Sequence, residues 1–383
     1  MKKLAIFAEA LTGGGVEKTL QTILKYWDYT NFDVTLYSIR NVPLPDCLSG
    51  LPIKHRFIFE SNNDSKIRRI HVWLRNKLRL LIYYHCPPKT FYRLFIQKDF
   101  DVALAFIEGY ATRIVSGAPS SIKRLAWLHC DIINHHWTSI AYRSDQEEIE
   151  SYRTFDSVVC VSGGVQSQLL KLCGAGLRTR VILNPIDRDD IIQKAKAGSA
   201  PNGFAPPSVI RFISLGRLVP IKGYDRLIRA AQRLRDDGYD FCLTILGEGS
   251  DRSRLQSLIN ENDLSERVFL LGYKENPYPY LNASDVYVCS SYSEGYNTAI
   301  IEALVLGKAV VSTDCMKEKD ILGNSDFGIV TDNSEDGLYS GIKQMIQPGS
   351  LKEYSSRAKE RGVLFDVDNS IKEVASLINN LLD

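Results

Sequence analysis

The stretch that decides the fold is Asp285-Val-Tyr-Val-Cys-Ser-Ser-Tyr-Ser-Glu294-Gly-Tyr-Asn-Thr-Ala-Ile-Ile-Glu302-Ala-Leu-Val-Leu-Gly307-Lys-Ala-Val-Val-Ser-Thr313. The apolar run from Asp285 to Ser290 reads as a buried strand, with Ser-Glu-Gly-Tyr-Asn as the turn beyond it. Thr298 to Leu306 has helical spacing, and Gly307 stands where a C-cap belongs. A second buried strand, Ala309 to Thr313, follows. This is a βαβ unit, the building block of a parallel sheet. It puts Glu294 just outside a helix N-terminus and Glu302 about one turn inside the helix. N–H groups at such an end lack intrahelical partners and attract anions, phosphates above all. A carboxylate beside them accepts from sugar hydroxyls. The segment therefore suits a molecule with both a phosphate and a polyol. The bland alternative leaves Glu294 in a solvated loop and Glu302 on a helix surface.

Outward from this unit, the same alternation runs almost from end to end. Strand-like runs occur at Leu4–Ala8, Val34–Ile39, Val102–Ile107, Leu125–His129, Val158–Ser162, Arg211–Leu215, Cys242–Leu246 and Val268–Leu270. The expected class is α/β, with two doubly wound Rossmann-like domains that bind ligands beyond the C-terminal ends of their strands. Between Asn184 and Pro207 the pattern lapses into a charged helix-like stretch and then Gly-Ser-Ala-Pro-Asn-Gly-Phe-Ala-Pro-Pro, which reads as a linker. The predicted division is residues 1–188, residues 189–364, and a closing amphipathic helix at 365–383 that packs back toward the first domain.

At 383 residues, with 44% hydrophobic and 24% charged positions, the chain has ordinary soluble composition and length for two cores. Eight cysteines are scattered without C-x-x-C or metal-finger spacing, and Cys160, Cys242 and Cys289 lie in apolar runs. Reduced, buried thiols in the cytosol are expected. The opening Met1–Ala10 mimics a signal peptide, but its apolar part is too short and runs into glycines. No run approaches the roughly 18 apolar residues of a membrane span.

Strand-end turns supply the candidate sites. Gly13-Gly14-Gly15-Val-Glu-Lys18 joins the first strand to a helix, and its glycines permit close backbone approach to a ligand. It matches neither the dinucleotide fingerprint nor a Walker loop. His129 ends a strand and faces the expected ligand side. Nearby Asp131, His135 and His136 fit no common metal pattern, so no metal site is expected. Glu108, closing another strand, is an acceptor candidate. Gly216-Arg217-Leu-Val-Pro-Ile-Lys222-Gly223 carries two cations five residues apart, an arrangement suited to a diphosphate. Turns at Gly247 and Tyr273 can flank a base and ribose. Two D-x-D matches, Asp187–Asp189 and Asp366–Asp368, read as helix-start residues.

Taken together, Gly13-Gly-Gly-Val-Glu-Lys, Val161-Ser162 before Asn184-Pro185-Ile-Asp187, Gly216-Arg217…Lys222-Gly223 and Glu294-Gly-Tyr…Glu302-Ala resemble the family-4 glycosyltransferases over nearly the whole chain. The Trp127-Leu-His129 segment is similar to bacterial members that build surface glycans. The resemblance implies the GT-B fold, two domains facing a cleft, and a retaining, metal-independent, cofactor-free transferase. The implied donor is a nucleotide-diphosphate sugar, UDP foremost, carrying a hexose or N-acetylhexosamine. The implied acceptor is a lipid-linked or surface-glycan saccharide, and no nucleic acid is involved. Arg217 and Lys222 would hold the diphosphate and stabilise the leaving group, Glu302 would bind the ribose, and Glu294 the donor sugar. Gly14 and Gly15 would approach the diphosphate, His129 would contact the sugar, and Gly216, Gly295, Tyr296, Asn297 and Thr298 would complete the donor site. Glu108 and Asp131 would serve the acceptor. One departure is Met316-Lys-Glu-Lys319, where many relatives have a Gly-Pro step. A sugar-nucleotide epimerase on the same fold and a non-catalytic glycan-binding protein are the alternatives.

The charge is uneven. Between Lys54 and Lys98 lie eleven Lys and Arg against Glu60 and Asp64, although the whole chain is only +2. Lys66 to Ile82 reads as a helix with Ile67, Ile70, Leu74, Leu78 and Leu81 on one face and cations on its flanks. Arg68, Arg69, Trp73, Arg75 and Arg79 are the candidate membrane contacts. A cytoplasmic enzyme, peripheral on the inner face of the membrane, is expected from this patch; a core-packed helix with a solvated basic back is the plainer reading.

Overall fold

A computed structural model describes residues 1–11, 14–61, 66–133, 136–198, 209–315 and 321–382, with the backbone alone at Lys66 and Ile67. Gly13, His135, the Gly/Pro-rich stretch at 199–208 and Met316–Lys319 lie outside the described residues. The chain divides into two units, Met1–Pro185 with Val367–Asp383, and Ile186–Asp366.

The first unit holds seven parallel strands: β1 Lys2–Ala8, β2 Phe32–Ser38, β3 Ile53–Phe57, β4 Val102–Ala105, β5 Lys123–Leu128, β6 Ser157–Cys160 and β7 Thr179–Val181. Their order is β3-β2-β1-β4-β5-β6-β7. The second holds β8 Ile210–Leu215, β9 Phe241–Leu246, β10 Val268–Gly272, β11 Val286–Cys289, β12 Ala309–Thr313 and β13 Ile329–Thr331, ordered β10-β9-β8-β11-β12-β13. Both sheets are thus doubly wound, as the alternation predicts. The chain reverses direction between β1 and β4 in one and between β8 and β11 in the other, and ligands bind at such switch points.

Central strands are apolar because helices cover both faces of the sheet. Every residue of β4, β9, β11 and β12 is buried. In the second unit, Phe212, Ile245, Val286, Val288 and Val311 pack against Leu227, Ala231 and Leu234 of the helix Tyr224–Asp236 and Leu338 and Ile342 of the helix Glu335–Met345. Register aligns Val286 with Phe212 on one side and Ala309 on the other.

One boundary differs from the sequence reading. The charged stretch after Asn184 is no linker: helix Arg188–Lys196 belongs to the second unit, burying Ile191 and Ala195, and the Lys194 carbonyl accepts from Asn276 Nδ2 at 2.9 Å. The first break therefore falls at Pro185 rather than after residue 188. The closing helix Val367–Leu382 buries Ile371, Val374 and Ile378 and is tied to the first unit by Lys2 Nζ donating to Asn379 Oδ1 at 2.7 Å.

Candidate functional site

In the second unit, the switch point brings together the loop after β8 and the turn after β11. Lys222 closes a short 3-10 turn, Pro220–Lys222, and Gly223 follows with φ +62°. That left-handed conformation is one glycine adopts at no steric cost. A Cβ there would collide with the Ser290 carbonyl oxygen, so the two loops touch backbone to backbone. The contact is stitched from both sides. Tyr292 N donates to Ile221 O at 2.8 Å, and Ser290 Oγ donates to Lys222 O at 2.8 Å.

This seam sets Lys222 against Glu294, with Nζ 2.6 Å from Oε1. Ser291 Oγ donates to the same oxygen at 2.5 Å, and the Glu294 N–H donates to Cys315 O at 3.2 Å. Both side chains are largely buried. Burial alone would lower the Lys222 pKa and is the largest influence on it. The charge and hydrogen bond of Glu294 outweigh it, so the value is raised and the ammonium form persists. Arg217, on the same loop, is exposed and has no ion-pair partner among the described residues. Gly216 and Gly247, at φ +156° and +146°, let the ends of β8 and β9 approach closely; a Cβ on Gly247 would strike the Gly216 carbonyl. Tyr273, past β10, is exposed.

The helix Thr298–Val305 corrects one expectation. Its N-terminus is not an open anion site, because Asn297 Oδ1 accepts from Ala299 N at 3.1 Å and Ile300 N at 3.3 Å. Asn297 is therefore an N-cap, and its Nδ2 donates to Cys289 Sγ at 3.1 Å. Among the helices that do lack a side-chain cap are Gly15–Lys25, where Gly14 is the N-cap residue, and Tyr224–Asp236 beside Lys222. Glu302 is buried rather than on a helix surface, and Tyr278, which the sequence reading missed, donates its hydroxyl to Oε1 at 3.0 Å. Gly295 and Tyr296 are buried in the turn, and Thr298 opens the helix. Asp187 caps the helix Arg188–Lys196 by accepting from Asp190 N at 3.0 Å, the helix-start role read from the sequence.

In the first unit, His129 sits just past β5 and is buried. Its Nε2 lies 2.9 Å from Phe106 O. A carbonyl only accepts, so Nε2 carries the hydrogen and Nδ1 is a bare acceptor, without a partner among the described residues. The ring stacks on Trp127 at 5.9 Å. Burial depresses the pKa to about 3. A group with so low a value is a poor general base; it is suited to accepting one hydroxyl hydrogen at Nδ1. Glu108 is buried too, its Oε2 accepting from His129 N at 3.1 Å, and burial raises its pKa. That contact ties the Glu108 carboxylate to the backbone at the end of β5. Asp131 Oδ1 accepts from Ile133 N at 3.0 Å. His136, weighed in the sequence only as one of a group without metal-ligand spacing, is paired through Nε2 with the buried Glu148 at 2.6 Å.

Because His129 has a folded pKa below the ordinary 6.5, the unfolded chain binds a proton that the folded chain refuses. Its contribution therefore erodes stability as pH falls from about 6.5 toward 3, with a slope near 1.4 kcal/mol per pH unit. Urea titrations from pH 7 to 4 are expected to show this slope in the wild type and a shallower one in His129→Gln. Equal slopes would place the acid sensitivity elsewhere.

A second surface lies on the helix Lys66–His85, and it is inverted relative to an ordinary amphipathic helix. Val72, Asn76, Arg79 and Tyr83 face the protein. Arg79 is only 12% exposed and donates to Ile58 O at 2.8 Å and Glu60 Oε1 at 3.1 Å, while Asn76 Nδ2 donates to Glu60 O at 2.7 Å. Ile70, Trp73, Leu74, Leu78 and Leu81 are each more than half exposed, and Lys77 Nζ lies 4.2 Å over the Trp73 ring. The core-packed reading of that stripe is overturned. So is the place of Arg79 among the surface contacts, since it fastens the helix down; Arg75 reaches Glu60 at 3.1 Å while remaining exposed. Arg69 is exposed. Among the described residues no helix is long and apolar enough to cross a membrane.

Residues 13–190 match the model for glycosyltransferase family 4, and residues 203–362 match that for glycosyl transferases group 1. A Campylobacter jejuni relative, the N-acetylgalactosamine-N,N'-diacetylbacillosaminyl-diphospho-undecaprenol 4-alpha-N-acetylgalactosaminyltransferase, is 35% identical over 193 residues, 49% of this chain and 50% of its own length. The lipopolysaccharide core biosynthesis glycosyltransferase LpsE of Rhizobium meliloti is 30% identical over 212 residues, 55% of this chain and 59% of its own. The chain spans about half the length of the curated relatives it matches. Among solved structures, Anabaena HepE in complex with UDP superposes with TM-score 0.72 at 18% identity, covering 99% of this chain and 100% of that one. Sucrose-phosphate synthase from Thermosynechococcus elongatus gives 0.78 at 14%, covering 100% and 99%. Identities this low carry the fold alone. With two doubly wound sheets, two family models in tandem and these relatives, the chain belongs to the family-4 glycosyltransferases of GT-B fold.

Proposed function

We propose that the protein is a retaining glycosyltransferase moving a hexose or N-acetylhexosamine from a nucleotide-diphosphate sugar to a lipid-linked saccharide. The carrying observation is the Lys222–Glu294 pair at the switch point of the second sheet. Transfer breaks the bond between the anomeric carbon and the β-phosphate oxygen and forms one to an acceptor oxygen on the same face, the acceptor hydroxyl's proton passing to the leaving phosphate. Negative charge then grows on the leaving diphosphate, where Lys222 and Arg217 supply fixed positive charge. Glu294 accepts from the sugar hydroxyls and Glu302 from the ribose. Orientation and electrostatic stabilisation, rather than a strong base, are what such a site contributes. The Campylobacter relative is named for putting N-acetylgalactosamine onto a diphospho-undecaprenol-linked saccharide, so UDP-N-acetylhexosamines come first in a donor panel. The test is a thermal-shift screen of sugar nucleotides followed by transfer to undecaprenyl-linked acceptors in excess chelator. Turnover that needs acceptor and survives chelation supports the reading. Nucleotide release without acceptor points to the epimerase, and binding without release to a glycan-binding protein.

We further propose that the enzyme works at an anionic membrane surface. The solvent-facing Ile70, Trp73, Leu74, Leu78 and Leu81 support this, flanked as they are by Arg69, Arg75 and Lys77. A helix whose apolar stripe points to water lies in a bilayer interface without altering its own packing. Each cation adds about 1 kcal/mol at an anionic leaflet, and apolar insertion adds to it independently of salt. Wild-type protein is expected to co-sediment with anionic vesicles and to be only partly released by salt. Trp73→Glu with Leu74→Glu is expected to lower binding more than tenfold. Failure of the wild type to bind anionic vesicles at low salt removes the membrane from the proposal and leaves the transferase intact.

A further inference from the structure

We infer that Arg226, which belongs to none of the motifs that mark the family, is the positioning residue that holds the Ser290–Glu294 turn and so sets Glu294 against Lys222. The inference rests on the reading of Glu294 as the donor-sugar acceptor.

Arg226 lies on the helix Tyr224–Asp236 and is only 2% exposed. A buried arginine normally meets a carboxylate. Here none pairs with it among the described residues; neighbouring Asp225 is engaged by Arg229 at 3.0 Å. Instead the guanidinium is used as a fork on the backbone of the turn. Nε donates to Ser290 O at 2.8 Å and Nη2 to Ser291 O at 2.7 Å, so two consecutive carbonyls are gripped by one planar group. Nη2 also reaches Asn333 Oδ1 at 2.7 Å. The cation lies 3.9 Å from the centre of the Tyr292 ring. Asn333 completes the clamp by donating Nδ2 to Tyr292 O at 2.8 Å, and Thr313 Oγ1 donates to Ser291 O at 2.8 Å.

Every residue so held, Ser290, Ser291 and Tyr292, lies within four positions of Glu294, and Ser291 itself donates to its carboxylate. Lysine cannot substitute, because a point charge with a flexible stem cannot grip two carbonyls in one plane. The energetic logic is that of an active-site support: the donor sugar needs Glu294 fixed in place, and small misplacements are costly in turnover. Among the described residues Arg226 makes no hydrogen bond to Arg217 or to the Lys222 ammonium, so nucleotide-diphosphate affinity is expected to be largely independent of the grip.

The experiment uses the full chain with its preferred donor and compares Arg226→Met, Arg226→Lys, Glu294→Gln and the double variant Arg226→Met/Glu294→Gln. In both Arg226 variants kcat is expected to fall about tenfold to a hundredfold, while UDP affinity by calorimetry stays within about twofold. In the Glu294→Gln background, Arg226→Met is expected to cost less than about threefold more, because the residue it positions is already disabled. Additive losses, or UDP affinity falling in step with kcat, overturn the inference and leave Arg226 a general structural residue. Wild-type turnover in Arg226→Met with a disabled Glu294→Gln also overturns it. Wild-type turnover in Glu294→Gln instead sinks the donor-sugar reading beneath it. Should Arg226→Met fail to fold, Asn333→Ala removes one acceptor of the arginine and one anchor of the turn. It is then expected to lower kcat about threefold to tenfold with UDP affinity unchanged, and unaltered kcat counts against the clamp.

Discussion

Lys222→Ala is expected to lower kcat/KM for the sugar nucleotide by roughly a hundredfold to a thousandfold, the scale of losing one preorganised charged contact to the leaving group. The fold is expected to survive, because Lys222 closes a 3-10 turn rather than filling the core. UDP affinity should fall with it. Glu294→Ala is expected to disable transfer to a similar degree while leaving UDP affinity much closer to wild type, since that carboxylate serves the sugar. Steady-state kinetics with calorimetry separates the two. Near-normal turnover in either variant removes the role assigned to that residue. The pair also fixes an expectation about pH. Since the Lys222 pKa is raised above its ordinary 10.5, its stabilisation is fully present below that value and is lost only as pH climbs through the folded one. Donor affinity should accordingly show no Lys222 limb between about pH 6 and 9.

Gly223→Ala is expected to be strongly destabilising. At φ +62° a Cβ strains the backbone by about 1–2 kcal/mol, and here it also collides with the Ser290 carbonyl, a backbone atom that cannot swing aside. Relieving the collision means parting the β8 and β11 loops, which breaks the Ser290 Oγ–Lys222 O and Tyr292 N–Ile221 O bonds together. A total loss of about 3 kcal/mol or more is expected, read as a lower urea midpoint, and activity should fall with it. Gly238→Ala is the control: it shares a positive φ, yet nothing lies within contact of its Cβ, so only the conformational cost applies. Equal losses in the two variants reject the close-approach argument.

The central strands were legible from sequence because they are buried on both faces and read as unbroken apolar runs, as in Val286–Cys289 and Ala309–Thr313. The strands that were missed, Ile53–Phe57, Thr179–Val181 and Ile329–Thr331, are all at sheet edges. An edge strand is short and partly solvated, so Ile-Lys-His-Arg-Phe and Thr-Arg-Val carry charges that hide it. The site residues divide the same way. Strand-end turns announce Lys222, Glu294 and Glu302, because a glycine-rich turn between a buried strand and a helix has a sequence signature. Arg226, Tyr278 and Asn333 have none; an arginine inside a helix reads as a solvated cation, and only its contacts with Ser290, Ser291 and Asn333 make it otherwise.

The same limit governs the basic helix. Its period of apolar residues could be counted, but the direction of that face could not, since a stripe facing a core and a stripe facing water have one periodicity. What the sequence by itself determined is therefore the αβ alternation, the two units and the cations and carboxylates at strand ends, because each follows from local burial and turn chemistry. The tertiary structure alone decided that Lys222 meets Glu294, that Asn297 closes a helix end expected to be open, that His129 is neutral with Nδ1 bare, and that the apolar stripe of Lys66–His85 faces solvent while Arg79 turns inward. Each of these depends on which atoms distant segments bring into contact, and residue order does not encode contact directly.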